Sequence, residues 1–203
     1  MKHILLGFLT LTVCTSAFDY QSTHDETYWY PDDENALDGY HIGTVRSNLV
    51  WGDTIRFFVD EQACDQPPLL AFTFSTTNIV DLARKDKNFD MNSYVDRTIT
   101  FDVEFDSGHS EKIEAAIWSV SDENPELGLF IFMLPKMPMT FASTDPDLRV
   151  FNKFMSLTVS PDDPLHYLFD EPKRSYRMEG LVPVWMYSHE KCLEAANNGD
   201  IND

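Results

Sequence analysis

The sequence predicts a mainly β, α+β fold: an antiparallel β-sandwich or sheet with one C-terminal helix packed on it. Three stretches carry that prediction. Residues 98–105 (TITFDVEF) alternate strictly, Ile99, Phe101, Val103 and Phe105 facing one way and Thr100, Asp102 and Glu104 the other. Period two is the pattern of a strand with one buried and one wet face. Residues 128–134 (GLFIFML) are a continuous apolar run of strand length, as expected of a central strand covered on both faces. Near the end, Leu181, Val184, Trp185, Ser188 and Cys192 recur at steps of three and four, which places them on one helical face that packs on a sheet.

The chain opens with a basic tip, Met1-Lys2-His3, an apolar run to Val13 and the small residues Thr15-Ser16-Ala17. That order predicts a secretory signal at 1–17 and a secreted or periplasmic protein. A lipoprotein cut before Cys14 would want a small residue where Val13 stands. The apolar run is shorter than the roughly 20 residues that span a bilayer, and no later stretch qualifies, so no transmembrane segment is expected. Removing 1–17 takes away one charge, Lys2, so the formal charge of −19 becomes −20. A field of that sign repels nucleic acid and anionic membrane surfaces and confers solubility. With 43% hydrophobic residues the remainder can still bury a core.

Residues 18–39 are acidic and aromatic, with Tyr28-Trp29-Tyr30 before Pro31-Asp32-Asp33-Glu34. They show neither strand nor helix period and read as an arm or linker. Trp29 and Tyr30 could stack on a sugar or peptide, or the arm could cover a sheet edge. A single domain is expected over 40–197, with a tail at 198–203. Its strands are expected at 54–61, at 69–77 with Phe72 and Phe74 on one face, at 98–105, at 112–120 after a hairpin turn at 106–109, at 128–134, at 149–159 and at 175–178. The helix begins near Leu181, so that Pro183 falls in its first turn, and ends at Asn197-Asn198-Gly199. Strands in series followed by one helix indicate an antiparallel sheet.

Of three cysteines, Cys14 leaves with the signal. Cys64 and Cys192 would then be oxidised to each other in an exported protein. The loop-entropy model puts so long a closure on the order of 4 to 5 kcal/mol. A catalytic thiol would need a base, and His189, one turn before Cys192, is the only nearby one.

The search for chemistry assigns no catalytic residue. Asp86, Asn88 and Asp90 have the opening spacing of a calcium loop, but Met91 stands where Gly is needed and Arg97 where Glu belongs. An EF-hand is rejected, leaving a looser calcium site with Asp96 as the only metal candidate. Walker, dinucleotide and His-Glu-x-x-His motifs do not occur. Lys173, Arg174 and Arg177 form a basic stretch in an acidic chain, suited to the chain's own acidic arm or to a partner's carboxylates or phosphates.

Trp51, the strand from Ile55 to Val59 with Cys64, and the tail Tyr176, Met178, Gly180, Leu181 and Cys192 resemble small exported bacterial proteins of the invasion-associated locus B type, and similar envelope proteins that accompany type VI secretion. The resemblance implies a non-catalytic, disulfide-tied β-sandwich in the periplasm or outside the cell; the long acidic arm departs from it. The expectation is an exported, non-enzymatic binding or envelope accessory protein with a protein partner. A calcium-assisted or acid–base hydrolase or a sugar-binding module acting on surface polysaccharide is the alternative from another class, and a structural surface subunit is the third.

Overall fold

The computed structural model describes residues 28–33, 37–50, 52–124, 126–134 and 153–199. The expected signal at 1–17, the arm's residues 18–27 and 34–36, Trp51, the start of a strand at 149–152 and the tail from 200 lie outside them.

Nine strands are described: β1 (Tyr30–Pro31), β2 (Tyr40–Arg46), β3 (Thr54–Asp60), β4 (Leu69–Thr76), β5 (Thr98–Phe105), β6 (Ser110–Asn124), β7 (Leu127–Leu134), β8 (Phe154–Val159) and β9 (Lys173–Arg177). They form one sheet in the order β1-β2-β3-β4-β7-β6-β5-β8-β9, every pairing antiparallel. Of the two architectures expected, the single sheet is the one found.

The sheet curls. Phe101 on β5 lies 5.0 Å, ring to ring, from Phe72 on β4, although two strands separate them in the sheet. Only a sheet rolled around its inner face brings those rings together. That inner face is the core, where Phe72 stacks on Phe132 at 5.1 Å and Phe74 meets Phe169 at 5.7 Å. The two ends of the sheet also meet. Asn48, just past β2, donates its N–H to the Ser175 carbonyl of β9 at 2.8 Å, and the Arg177 guanidinium of β9 lies 4.4 Å above the Tyr28 ring.

The expected helix is α2 (Leu181–Gly199), and it continues through the Asn-Asn-Gly expected to stop it. Leu181, Val184, Ser188 and Cys192 are buried and Trp185 is partly so, which is the face the spacing predicts. It packs inside the curl against β2 and β3, where a Cβ on Gly43 would come within 2.2 Å of the Phe57 ring and 2.9 Å of Val184. A glycine at that point lets a helix approach a sheet already carrying a phenylalanine. Cys64 and Cys192 are bonded, with Cα atoms 5.8 Å apart, tying the loop before β4 to α2.

Two strands and a helix were not anticipated. β2 has no alternation to read, since Ile42 to Val45 are all buried. The strand expected at 69–77 is β4, ending at Thr76, and just beyond it, where no element was expected, lies a short helix, α1 (Asn78–Lys85). The arm's residues 28–33 form a docked strap: Trp29 is 1% exposed and stacks on Phe57 at 5.5 Å, while Tyr30 and Pro31 pair with Thr44 and Gly43.

Candidate functional site

One buried ion pair dominates the interior chemistry. Arg174 and Asp53 are both fully buried, and the Arg174 Nε donates to the Asp53 carboxylate. The same carboxylate accepts the Ser75 N–H at 2.9 and 3.0 Å. The remaining Arg174 bonds go to the Ser75 carbonyl at 2.6 Å and to the Glu171 and Lys173 carbonyls, while its guanidinium covers the Phe74 ring at 4.5 Å. Burial pushes the Asp53 carboxyl up, and the Arg174 charge and Ser75 bonds oppose that without cancelling it. Tyr176, two residues on, is fully buried; burial first and the Asp53 charge second raise its phenol well above the usual range. This cluster clamps β9 to the β3–β4 corner across the curl. With no exposed member it cannot meet a substrate.

The residues singled out from the sequence fall in separate places. Arg174 is inside the clamp, Lys173 faces Glu104 at 3.7 Å, and Arg177 covers Tyr28, so one basic residue of the three does contact the arm. Trp29 is buried under α2. Asp86 accepts the Asn88 N–H at 2.9 Å and Asp90 the Asn92 N–H at 2.9 Å, each closing its own turn. Asp96 takes a left-handed φ of 68° and donates its N–H to the Ile117 carbonyl at 2.8 Å. Among the described residues no three His, Cys, Asp or Glu side chains gather as a metal site would require. Cys192 is spent in the disulfide, so His189 has no thiol to activate.

A surface that the sequence reading passed over lies on the outer face of the central strands. Ile117 pairs with Phe132 and Val120 with Phe130, all on the core side, so Trp118 and Ser119 together stand opposite the single residue Ile131. This is a β-bulge, a device that re-aims a side chain. Alternation with the buried Ala115 and Ile117 already points Trp118 outward, 63% exposed, and the bulge brings Val120 back to the core side after it. Leu129, Ile131 and Met133 share that face and are half-buried. The expectation that β7 is covered on both faces therefore fails: Ile79 of α1 and Met91 pack against its inner face at Gly128, whereas its outer apolar residues are only half-buried. A bulge shows in strand pairing and not in period, so 112–120 read only as a regular strand; the available signal was Trp118 itself, on the wet side of that strand.

At one end of the curl the Tyr94 and Tyr167 hydroxyls lie 3.0 Å apart. Burial first and the bond to Tyr167 second push the Tyr94 phenol up to about 12. It stays protonated at neutral pH and supplies no base.

No family model, curated protein or solved structure matches this chain. Its function has to be read from its own surfaces.

Proposed function

We propose that this protein is an exported, non-enzymatic binding module that presents the outer face of its sheet, centred on Trp118, to a protein partner of the cell envelope or beyond it. Export rests on the signal-like residues 1–17 and on the fit of a disulfide to an oxidising compartment; the envelope setting is also what the resemblance to the invasion-associated locus B type implies. The observation that carries the binding role is Trp118, 63% exposed at a bulge on the outer face of the sheet's central strands. Tryptophan carries a large apolar area and dominates protein interfaces when it finds a pocket. Its companions, Leu129, Ile131 and Met133, are aliphatic or thioether side chains. That company suits a protein surface, where Met and aromatic residues are enriched, better than a sugar, which asks for hydrogen-bonding groups around the ring.

The other classes find less support. Asp53 is held by Arg174, Asp102 by Lys112 at 3.3 Å, and Asp170 by Thr76 and Thr77, so these carboxylates already have partners. Edge-to-edge assembly needs an open strand edge, whereas the strap covers part of β2 and Ser175 of β9 accepts from Asn48.

The test is retention of envelope proteins by the immobilised mature chain. Trp118→Ala should lose a partner that Trp118→Phe partly keeps, with the thermal midpoint of both variants unchanged. Equal retention by wild type and Trp118→Ala would remove the outer face from the reading.

A further inference from the structure

The strap at residues 28–33 lies in a slot bounded by β2, β9 and the start of α2. Tyr30 and Pro31 add two residues of ladder to β2, and the Asp32 N–H continues it to the Ile42 carbonyl at 2.8 Å. Trp29 fills the pocket over Phe57. Gly180, at a φ of +86°, lets the Trp29 backbone approach so closely that a Cβ would lie 3.3 Å from its carbonyl oxygen. The Asp32 carboxylate takes the Thr44 hydroxyl at 2.9 Å and stands 3.6 Å from Arg56, and Tyr28 lies under Arg177. Backbone pairing, an aromatic pocket, an acid-binding pair and a cation over a ring are the parts of an extended-peptide acceptor.

We infer that this seam is a strand-acceptor groove filled in cis by the chain's own strap, and that the strap of a second copy can enter it to give a strap-exchanged dimer. The occupant follows from the fit. The segment seated in the groove is residues 28–33, and another copy carries the same segment with the same chemistry. The reach is sufficient. Residues 34–39 join the strap to β2, and six extended residues span up to about 20 Å, enough to cross to a neighbouring molecule. The cis and trans forms share the strap's own contacts; the trans form gives up the bonds from the Tyr40 N–H to Leu37 and from the Glu61 N–H to Gly39, each 2.9 Å, and the effective concentration that the tether supplies, so exchange grows with protein concentration.

A complementation experiment on the full chain tests this. Trp29→Ala keeps the groove and spoils the strap; Gly180→Val keeps the strap and blocks the groove, both by its Cβ and by putting a β-branched residue at positive φ. Each variant alone should sediment as a single chain, and a mixture should give a species of twice the mass. A mixture that stays monomeric, or a dimer formed equally by Trp29→Ala alone, overturns the inference. Should Gly180→Val fail to fold, a synthetic peptide of residues 24–36 supplies the strap instead, and Trp29→Leu replaces Trp29→Ala if the latter is unfolded. At roughly ten times its Kd that peptide should raise the Tm of the strap variant by about 4 °C, and the same peptide with Ala for Trp should not. A strap variant whose Tm ignores the peptide also overturns the inference.

Discussion

Arg174 shows how far a residue's setting can depart from its local text. In KRSYR it reads as one cation among three, yet it is fully buried against Asp53. A buried pair costs several kcal/mol of desolvation per ion, and removing one member leaves the other uncompensated. Arg174→Ala or Asp53→Ala alone should therefore destabilise the fold by about 3–5 kcal/mol, read from urea midpoints. Replacing both by Leu should cost much less; a double variant as unstable as the singles would show that the pair is valued for more than its charges. The inward setting had a signal. β9 alternates, Tyr176 reads as core, and Arg174 shares its parity. What could not be read was Asp53 as the partner, since nothing in a chain separates an aspartate just ahead of a strand at the surface from one held inside by an arginine 121 residues away. Trp118 was legible by its parity against Ala115 and Ile117, and only the bulge beside it was hidden, because a bulge is a property of two paired strands and appears in neither alone.

At the scale of elements, what was legible was whatever depends on period. The strand at 98–105 and the buried face of α2 follow from alternation and from steps of three and four. α1 escaped because its start is stabilised from afar. The residues leading into it are held by Asp170, whose carboxylate takes the Thr76 hydroxyl at 2.9 Å together with the Thr77 hydroxyl and N–H. Burial alone would raise the Asp170 carboxyl, but the bonds from Thr77 and Thr76 outweigh it and hold it below the usual range. A depressed folded value means stability that is present above the unfolded aspartate value of about 3.9 and is lost as pH falls through the folded one. Asp170→Asn should cost about 1 kcal/mol at neutral pH, a modest figure because the group is largely exposed. The gap to wild type should narrow as pH falls below the unfolded aspartate value of about 3.9, and a gap unchanged in acid would rule out the carboxylate's charge as its source. β2 was missed for want of a side chain: Gly43 interrupts any alternation because Phe57 and Val184 occupy the space where a Cβ would be. Gly43→Ala should destabilise the protein by about 1–3 kcal/mol through forced repacking. An unchanged denaturant midpoint would show that α2 can lift away freely.

For the molecule as a whole, the curl, the strap and the disulfide act together. Phenylalanines from strands distant in the sheet meet inside, the two ends of the sheet are joined by Asn48 and Arg177, and Cys64–Cys192 pins the helix that occupies the concave side. Sequence indicated a β-rich sheet with a packed helix but could not indicate closure, because closure is a long-range pairing decision. Such a body spends its buried charges internally, and among the described residues of its outer face Trp118 is the most exposed large aromatic side chain, ahead of Phe154 on β8. The most direct measurement of its role is site-specific photo-crosslinking in the cell of origin, with a benzophenone amino acid at position 116, exposed beside Trp118 on the same face, and, as controls, at the exposed positions 37 and 186. An adduct confined to position 116, abolished by excess wild-type protein and not by excess Trp118→Ala, is the predicted result. Adducts of equal yield at all three positions, or competition by Trp118→Ala as strong as by wild type, would contradict a binding face centred on Trp118.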